Sequence, residues 1–537
     1  MAQSSSSSPS KSFGLFYAVL WLSSVTQGLA LPADTQQTSG SASNASHIIG
    51  TVNLCSKVGM PLVETPSDLP PCVVDALFLH TPLYNMWKTI SGVGVFMMQL
   101  GFGLLEAGSI SQRNVMHMLM KNVADLCISC IMWWVCGYHV AFGKTSFAMS
   151  ETDHVNWFFH WSFCATATTI VSGAVAVRTS TFAYVFFSIL CTGFAYPLVV
   201  NLTWSPNASL AEGGLAGLKY KDFAGSGVVH LFGGCCALFG AALVGPRGTG
   251  APEDRLPGHN VPMSFSGVFL IFFGWFFFNG GSVSSLLGSG GIQATTAIMN
   301  TAIAGCTGGC AACFCFSWIF PLCKTLEPGE RSTIGMADLS ATLNGILAGL
   351  VSITASCNTV SASQAVWISA LGGGVWYPLA SKALRPNTLL GKKIDDPLDA
   401  FAVHGACGFW GVIAVAVFGD GDYTSQLVVA VIIIVIAVVL SIFSFGMLWF
   451  INHYCLKNEP IFKVVHLLRM DDGEALHGSD DEHHGRFAYE SLGEFNQLRD
   501  ELQKLKNELA ELKARVNEPP LPPTVPSTVR SEGPFMI

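Results

Sequence analysis

The run Asp222-Phe-Ala-Gly-Ser-Gly-Val-Val-His230 leads into one apolar segment of this chain, and Asp399-Ala-Phe-Ala-Val-His404-Gly-Ala-Cys-Gly408 leads into another. In each, an acid precedes a histidine that follows valine, and small residues cluster around the imidazole. Titratable groups are expensive in hydrocarbon, so inside a membrane span each is a functional candidate. The flanks read as spans. Long apolar segments lie near 90–110, 116–142, 157–177, 180–202, 223–245, 262–281, 292–320, 332–355, 361–383, 398–418 and 425–455. Each can cross a hydrocarbon core of about 30 Å as a helix, and closed helices satisfy their own backbone polar groups there. The two histidine runs fall in the fifth and tenth. They are counterparts if spans one to five repeat as six to ten, and an odd number per copy inverts the second copy in the membrane. The expected fold is an all-α integral membrane protein of eleven transmembrane helices with an inverted 5+5 repeat, N-terminus outside and C-terminus cytoplasmic.

Composition agrees. Half of the 537 residues are hydrophobic and 12% are charged, too little charge for a soluble domain. Much of the acid behind the net charge of −8 lies between Asp471 and Glu518, and no long basic run points to nucleic acid. The loops hold no nucleophile–base pair or metal-ligand set, so neither an enzyme nor a cofactor is expected. With the first span starting outside, Arg113, Arg178, Arg247, Arg255, Lys324, Arg331, Lys382, Arg385, Lys392 and Lys393 fall in cytoplasmic loops, against Lys144, Lys219 and Lys221 outside.

Outside the spans, residues 1–30 have the order of a cleavable signal peptide: Ser-rich start, Lys11, apolar Phe13 to Leu22, then Gly28-Leu-Ala30. Residues 31–85 read as an extracellular segment, 86–456 as the transmembrane domain, and 457–490 as a cytoplasmic tail. Cys55 and Cys72 precede the first span, where a disulfide and two free thiols are both open readings. Sequons at Asn44, Asn201 and Asn207 fall on the proposed outside. Cys310-x-x-Cys313-x-Cys315 lies mid-span and reads as packing. Phe495, Leu498, Leu502, Leu505, Leu509, Leu512 and Val516 form an a/d seam, giving a short coiled coil over 491–518, or an amphipathic helix lying on membrane or protein. Pro519-Pro-Leu-Pro-Pro523 ends it, and 519–537 reads as disordered.

A neutral imidazole donates and accepts at once, and two imidazoles can share a proton along one hydrogen bond. In an apolar channel such a pair disfavours a bare cation and tolerates a small polar neutral molecule. The plainer reading is that each histidine bonds a neighbouring helix. Asp399 suits a helix-start position, where an acid gains about 0.3–1 kcal/mol from the dipole. Asp222 suits the same role or electrostatic support of a cation site. Aromatics crowd Phe158 to Phe163 and Gly274 to Asn279, and aromatic faces attract cations.

On Gln99 through Gly108, Asp222 through His230, Gly274 through Ser282 and Asp395 through Gly408, the chain resembles the ammonium transporter/methylammonium permease/Rhesus family, and its ammonium transporter branch most. The resemblance covers roughly 80–490. It implies a homotrimer of eleven-span protomers, each with its own pore for ammonium, ammonia and methylammonium, and the signal-like start favours the plasma membrane. By this resemblance His230 and His404 match the twin pore histidines. Phe163 and Phe278 match the stacked gate, and Phe159, Trp204 and Ser282 the external ammonium recruitment site. Asp222 matches the acid that holds that site and supports conduction. Val177 stands where the family often has Glu, and Asn201 near where a His is usual. The stretch from Leu467 to Tyr489 resembles the regulatory tail of plant-type members, which docks on neighbouring protomers. Glu482 aligns where relatives carry a phosphorylatable Thr. An ammonium sensor and an electroneutral Rhesus-type ammonia channel are the rival functions.

Overall fold

A computed structural model of the chain describes residues 71–144, 149–211, 214, 216–247, 258–323, 332–384, 388, 394–455, 467–470, 480, 488–489, 498 and 501–510. The expected signal peptide, Asn44, Cys55, the side chain of Cys72, Glu482 and residues 519–537 lie outside the described residues. The bundle is built from α1 (Pro71–Ser109), α2 (Gln112–Phe142), α3 (Glu151–Ala174), α4 (Thr181–Thr203), α5 (Ser226–Val244), α6 (Val261–Gly280), α7 (Ser289–Leu322), α8 (Leu339–Ile353), α9 (362–383), α10 (Phe401–Phe418) and α11 (Tyr423–Tyr454). Among the described residues, β-pairing is limited to isolated bridges.

Eight of these helices are long and apolar enough to cross a membrane by length and composition, α1 through its stretch Thr81–Ser109. α8 is shorter, at 15 residues. α3 is buried at every position from 161 to 174 and carries hydroxyl residues there. Thr166, Thr168 and Thr169 each donate to the carbonyl four residues back, so their polar groups enter the core already satisfied. The bundle's outer surface is apolar: Val431, Val435, Val439 and Ile442 of α11 are exposed, as a lipid-facing stripe requires.

Wide π turns recur in helices five apart along the chain. They lie at Trp133–Gly137 in α2 and Cys315–Ile319 in α7, at Cys191–Ala195 in α4 and Gly372–Trp376 in α9, and at the starts of α5 (Ser226–Leu231) and α10 (Phe401–Ala406). In α4 and α9 a Tyr-Pro pair follows, Tyr196-Pro197 and Tyr377-Pro378. Proline lacks the N–H that a regular helix would use, and a wide turn accommodates the loss. α1 runs along α6, α7 along α8, and α11 beside α5.

The first helix begins at Pro71, within the stretch read as extracellular segment. The described tail residues bind their own chain: Met470 donates to the Arg178 carbonyl at 2.9 Å and Ser180 to Leu468 at 3.1 Å. The Asp480 carboxylate accepts the Met116 and His117 N–H groups at the start of α2 (3.0 and 2.9 Å). Residues 501–510 are helical, and Leu498, Leu502, Leu505 and Leu509 are exposed.

Candidate functional site

The chain turns into α5 through Gly225, whose φ of 110° lies where side chains are strained. The turn is held by Asp222. Its carboxylate accepts the N–H groups of Gly225, Gly227 and Val228 at 2.8, 2.8 and 2.9 Å and the Tyr220 hydroxyl at 3.2 Å. At α10 the N–H groups of Ala400 and Phe401 go to Asp396, at 3.0 and 2.8 Å. Asp399, expected at the helix start, stands two residues before α10 but does not take these N–H groups. Asp399 sits at φ 60°, and its carboxylate accepts the Ser381 hydroxyl at 3.0 Å and that of Tyr377 at 3.4 Å. Asp is one of the few residues that tolerate this backbone region.

Each histidine stands in the first turn of its helix. α5 and α10 cross in contact, since a Cβ on Gly234 would collide with the Gly405 backbone. The crossing brings His230 Nδ1 to 3.2 Å from His404 Nδ1, with the rings 21° from parallel. One Nδ1 must donate and the other accept. Moving that proton alone would leave an imidazolate beside an imidazolium, so exchanging the two tautomers also needs a proton taken up at one Nε2 and another released from the other. The Nε2 of His230 is buried and has no hydrogen-bond partner among the described residues. Trp275 stacks on His230 with centroids 4.9 Å apart, and its indole N–H is used on Thr354.

Above His230 lies Phe278, centroid to centroid 5.6 Å. Phe278 and Phe163 stack at 3.8 Å and 17°, a separation that admits nothing between the rings. Beyond them opens a chamber of about 250 Å³ lined by Phe159, Phe163, Trp204 and Ser282, which brings together the residues expected at a cation site. The Trp204 indole donates to the Asp222 carbonyl at 2.8 Å, which orients the ring. Ser282 gives its hydroxyl proton to the Phe278 carbonyl, so its lone pairs are left to accept. Asp222 stands behind the chamber, holding α5 and Trp204, and its carboxylate is engaged by the helix start. On the other side of the histidines is a narrow cavity lined by Phe102, Glu106, Leu398 and His404.

Several residues escaped the sequence reading. Lys88 and His160 line the chamber; Lys88 passed as a flank of the first span and His160 as part of an aromatic motif. Glu106, Lys121 and Asp125 are buried in α1 and α2. Glu106 accepts from Asn122 at 2.9 Å and Ser172 at 3.1 Å, and Asp125 from Thr169 at 2.7 Å and Ser188 at 3.0 Å. Their signal was charge inside an apolar segment, the same that marked the histidines.

At the far end, Arg178 is buried and donates to the carbonyls of Gly245 and Asp395. Arg247 forks onto the Asp395 carboxylate at 2.6 and 3.0 Å. Burial pushes the Asp395 carboxyl up, but the Arg247 hydrogen bonds and the charges of Arg178 and Arg247 outweigh it and hold it below the usual carboxylate range. Of the sequons, Asn207 is exposed, whereas Asn201 lies within α4 and donates to the Ala141 carbonyl at 3.1 Å. Asn201 is therefore a poor glycan acceptor. Cys315 donates to the Gly374 carbonyl, a packing contact between α7 and α9.

The description of the Ammonium Transporter Family matches residues 86–489. Ammonium transporter Amt1 of Haloferax mediterranei is 33% identical over 79% of this chain and 83% of its own. A Caenorhabditis elegans protein provisionally named ammonium transporter 1 is 35% identical over 63% of this chain, and the match spans 64% of that protein. A solved structure titled Sensor Amt Protein superposes with a TM-score of 0.61 at 29% identity, covering 76% of this chain and 99% of its own. With the matched region holding the chamber, the stacked phenylalanines and the histidine pair, the chain belongs to the ammonium transporter family.

Proposed function

We propose that the chain carries ammonium nitrogen across a membrane through the passage inside its own bundle. The observation that supports this best is the line from aromatic chamber through stacked phenylalanines to a buried histidine pair. In the chamber, ring faces of Phe159 and Trp204 and the lone pairs of Ser282 replace water around ammonium. Taking the bare cation further into an apolar passage is costly, so it gives up a proton before the histidines. Ammonia then passes between Nε2 atoms, one of which can accept while the other donates. The proton crosses separately: one Nε2 takes it up, a proton passes between the rings along the Nδ1 bond, and the other Nε2 releases one, making net transport electrogenic. We further propose eleven spans with an inverted 5+5 repeat, N-terminus and chamber outside and tail in the cytoplasm. The working assembly is a plasma-membrane homotrimer, with the seam over 491–518, of which Leu498, Leu502, Leu505 and Leu509 are exposed, as a coiled coil between protomers. Methylammonium fits the same chamber.

The test is ammonium-evoked current in voltage-clamped oocytes expressing the full chain, beside His404→Ala. A saturable inward current lost in the variant is expected. Unchanged, ammonium-selective current in the variant would remove the relay. A second reading, ammonium sensing, draws on the likeness to the protein titled Sensor Amt. It would gain if surface-expressed protein carried neither current nor methylammonium. Methylammonium uptake without current would favour the electroneutral channel.

A further inference from the structure

The chamber holds an ammonium group of the protein's own. Lys88 projects from α1 and is only 5% exposed. Its Nζ donates to the Gly281 carbonyl at 2.9 Å and the Val283 carbonyl at 3.4 Å, the two residues that flank Ser282. The same Nζ lies 4.0 Å from the centroid of the Phe159 ring and 5.9 Å from that of Tyr84. Trp87, one residue earlier, donates to the Gly280 carbonyl at 3.2 Å and fixes α1 in register with this stretch of α6. Among the described residues no carboxylate lies within ion-pair distance of Lys88. Its charge is met by ring faces and carbonyl oxygens, the means by which a small ammonium ion would be held.

We infer that Lys88 is a tethered competitor for the chamber, a specificity- and affinity-setting residue that occupies one face of the aromatic site and repels a second cation from it. The inference rests on the chamber being the ammonium site of the preceding section. A primary ammonium on a short tether differs from methylammonium mainly in its stem, so it draws on the same ring face and acceptors as the cargo. A free cation must either displace the Lys88 head from Phe159 or use the Trp204 and Ser282 side alone. Both lower the occupancy of the chamber at a given ammonium concentration.

Concentration dependence of ammonium-evoked current and of labelled methylammonium uptake tests this, in the full chain and in Lys88→Gln and Lys88→Met. Gln keeps a donor for the Gly281 and Val283 carbonyls and removes the charge, which guards against a merely misfolded variant. Met removes both. The expected result is a half-saturating ammonium concentration about 2- to 30-fold lower in both variants, the range one cation–ring contact spans. Flux in Lys88→Gln with an unchanged half-saturating concentration would overturn the inference and leave Lys88 as a strut between α1 and α6. Absence of flux in the unaltered chain and in both variants, with surface expression confirmed, would overturn the reading of the chamber, and the inference with it.

Discussion

Asp222 stands eight residues before His230, and Asp396 eight residues before His404. The starts of α5 and α10 are built alike from there. Each acid accepts backbone N–H groups of the first turn, each helix opens with a π turn, and each has a positive-φ residue five before its histidine: Gly225 at 110° and Asp399 at 60°. Their surroundings differ. The α5 start faces rings, with Trp204 held on the Asp222 carbonyl. The α10 start adjoins a charged cluster, with Asp395 gripped by Arg247 and Arg178 and the tail residue Arg469 donating to the Val244 and Pro246 carbonyls. One scaffold thus serves two ends. The part that sets the histidines is duplicated, and the surroundings, aromatic at one start and charged at the other, are particular to each side.

The likeness breaks most sharply at the two caps. Asp222→Ala strands three N–H groups and a tyrosine hydroxyl and is expected to lose about 3 kcal/mol or more of stability, at roughly 1–3 for each buried donor left unmet. Asp396→Ala strands the N–H groups of Ala400 and Phe401 and is expected to destabilise as well. Melting of detergent-solubilised protein measures both, and a variant of either acid that melted like the unaltered protein would remove that acid as a cap. A finer test is the positive-φ pair. Gly225→Ala places a Cβ 2.8 Å from Val229 and 3.1 Å from Trp204 in a strained conformation, an expected loss of about 2 kcal/mol. Asp399→Asn keeps a residue suited to that region and should melt closer to the unaltered protein. Equal losses at the two sites would mean that backbone strain is not what separates them.

The smallest effect concerns charge at the tail end. Arg247→Ala removes two charge-assisted hydrogen bonds while Arg178 remains beside Asp395, for an expected loss of about 1.5 kcal/mol at neutral pH. Because the folded Asp395 carboxyl is held low, its contribution is whole above its ordinary value of about 4. It is lost as pH falls through the lowered folded value. The gap in melting temperature between the unaltered protein and Arg247→Ala should therefore be constant through neutral pH and close only in strong acid. A gap that closed near pH 6 would assign the effect to another group.

Much of the molecule was legible before its structure. The apolar runs located the helices, and α5 and α10 were marked as candidate carriers of the site because matching histidine motifs recur in the fifth and tenth spans, whereas one histidine alone is more simply a bond to a neighbouring helix. The Asp396 cap was not legible. Asp395-Asp396-Pro397 reads as a polar loop, and Asp399 stands nearer the helix, so the acid one turn further back was passed over. Lys88 was missed because a cation at the rim of a span normally means a flank. Nothing in its neighbours tells that Phe159, in another helix, lies beneath it.

Hydrophobicity and helical hydrogen bonding act over a few residues, so length and apolar content alone determined that this chain is a bundle of membrane-crossing helices. Contacts between residues far apart in sequence depend on how helices cross. Only the packing of Gly234 on Gly405 decided that two histidines share a hydrogen bond. Only the alignment of α1 with α6 decided that a lysine sits in the chamber. Close approach is set by which side chains are small enough to allow it, and that is a property of the pair of helices in contact.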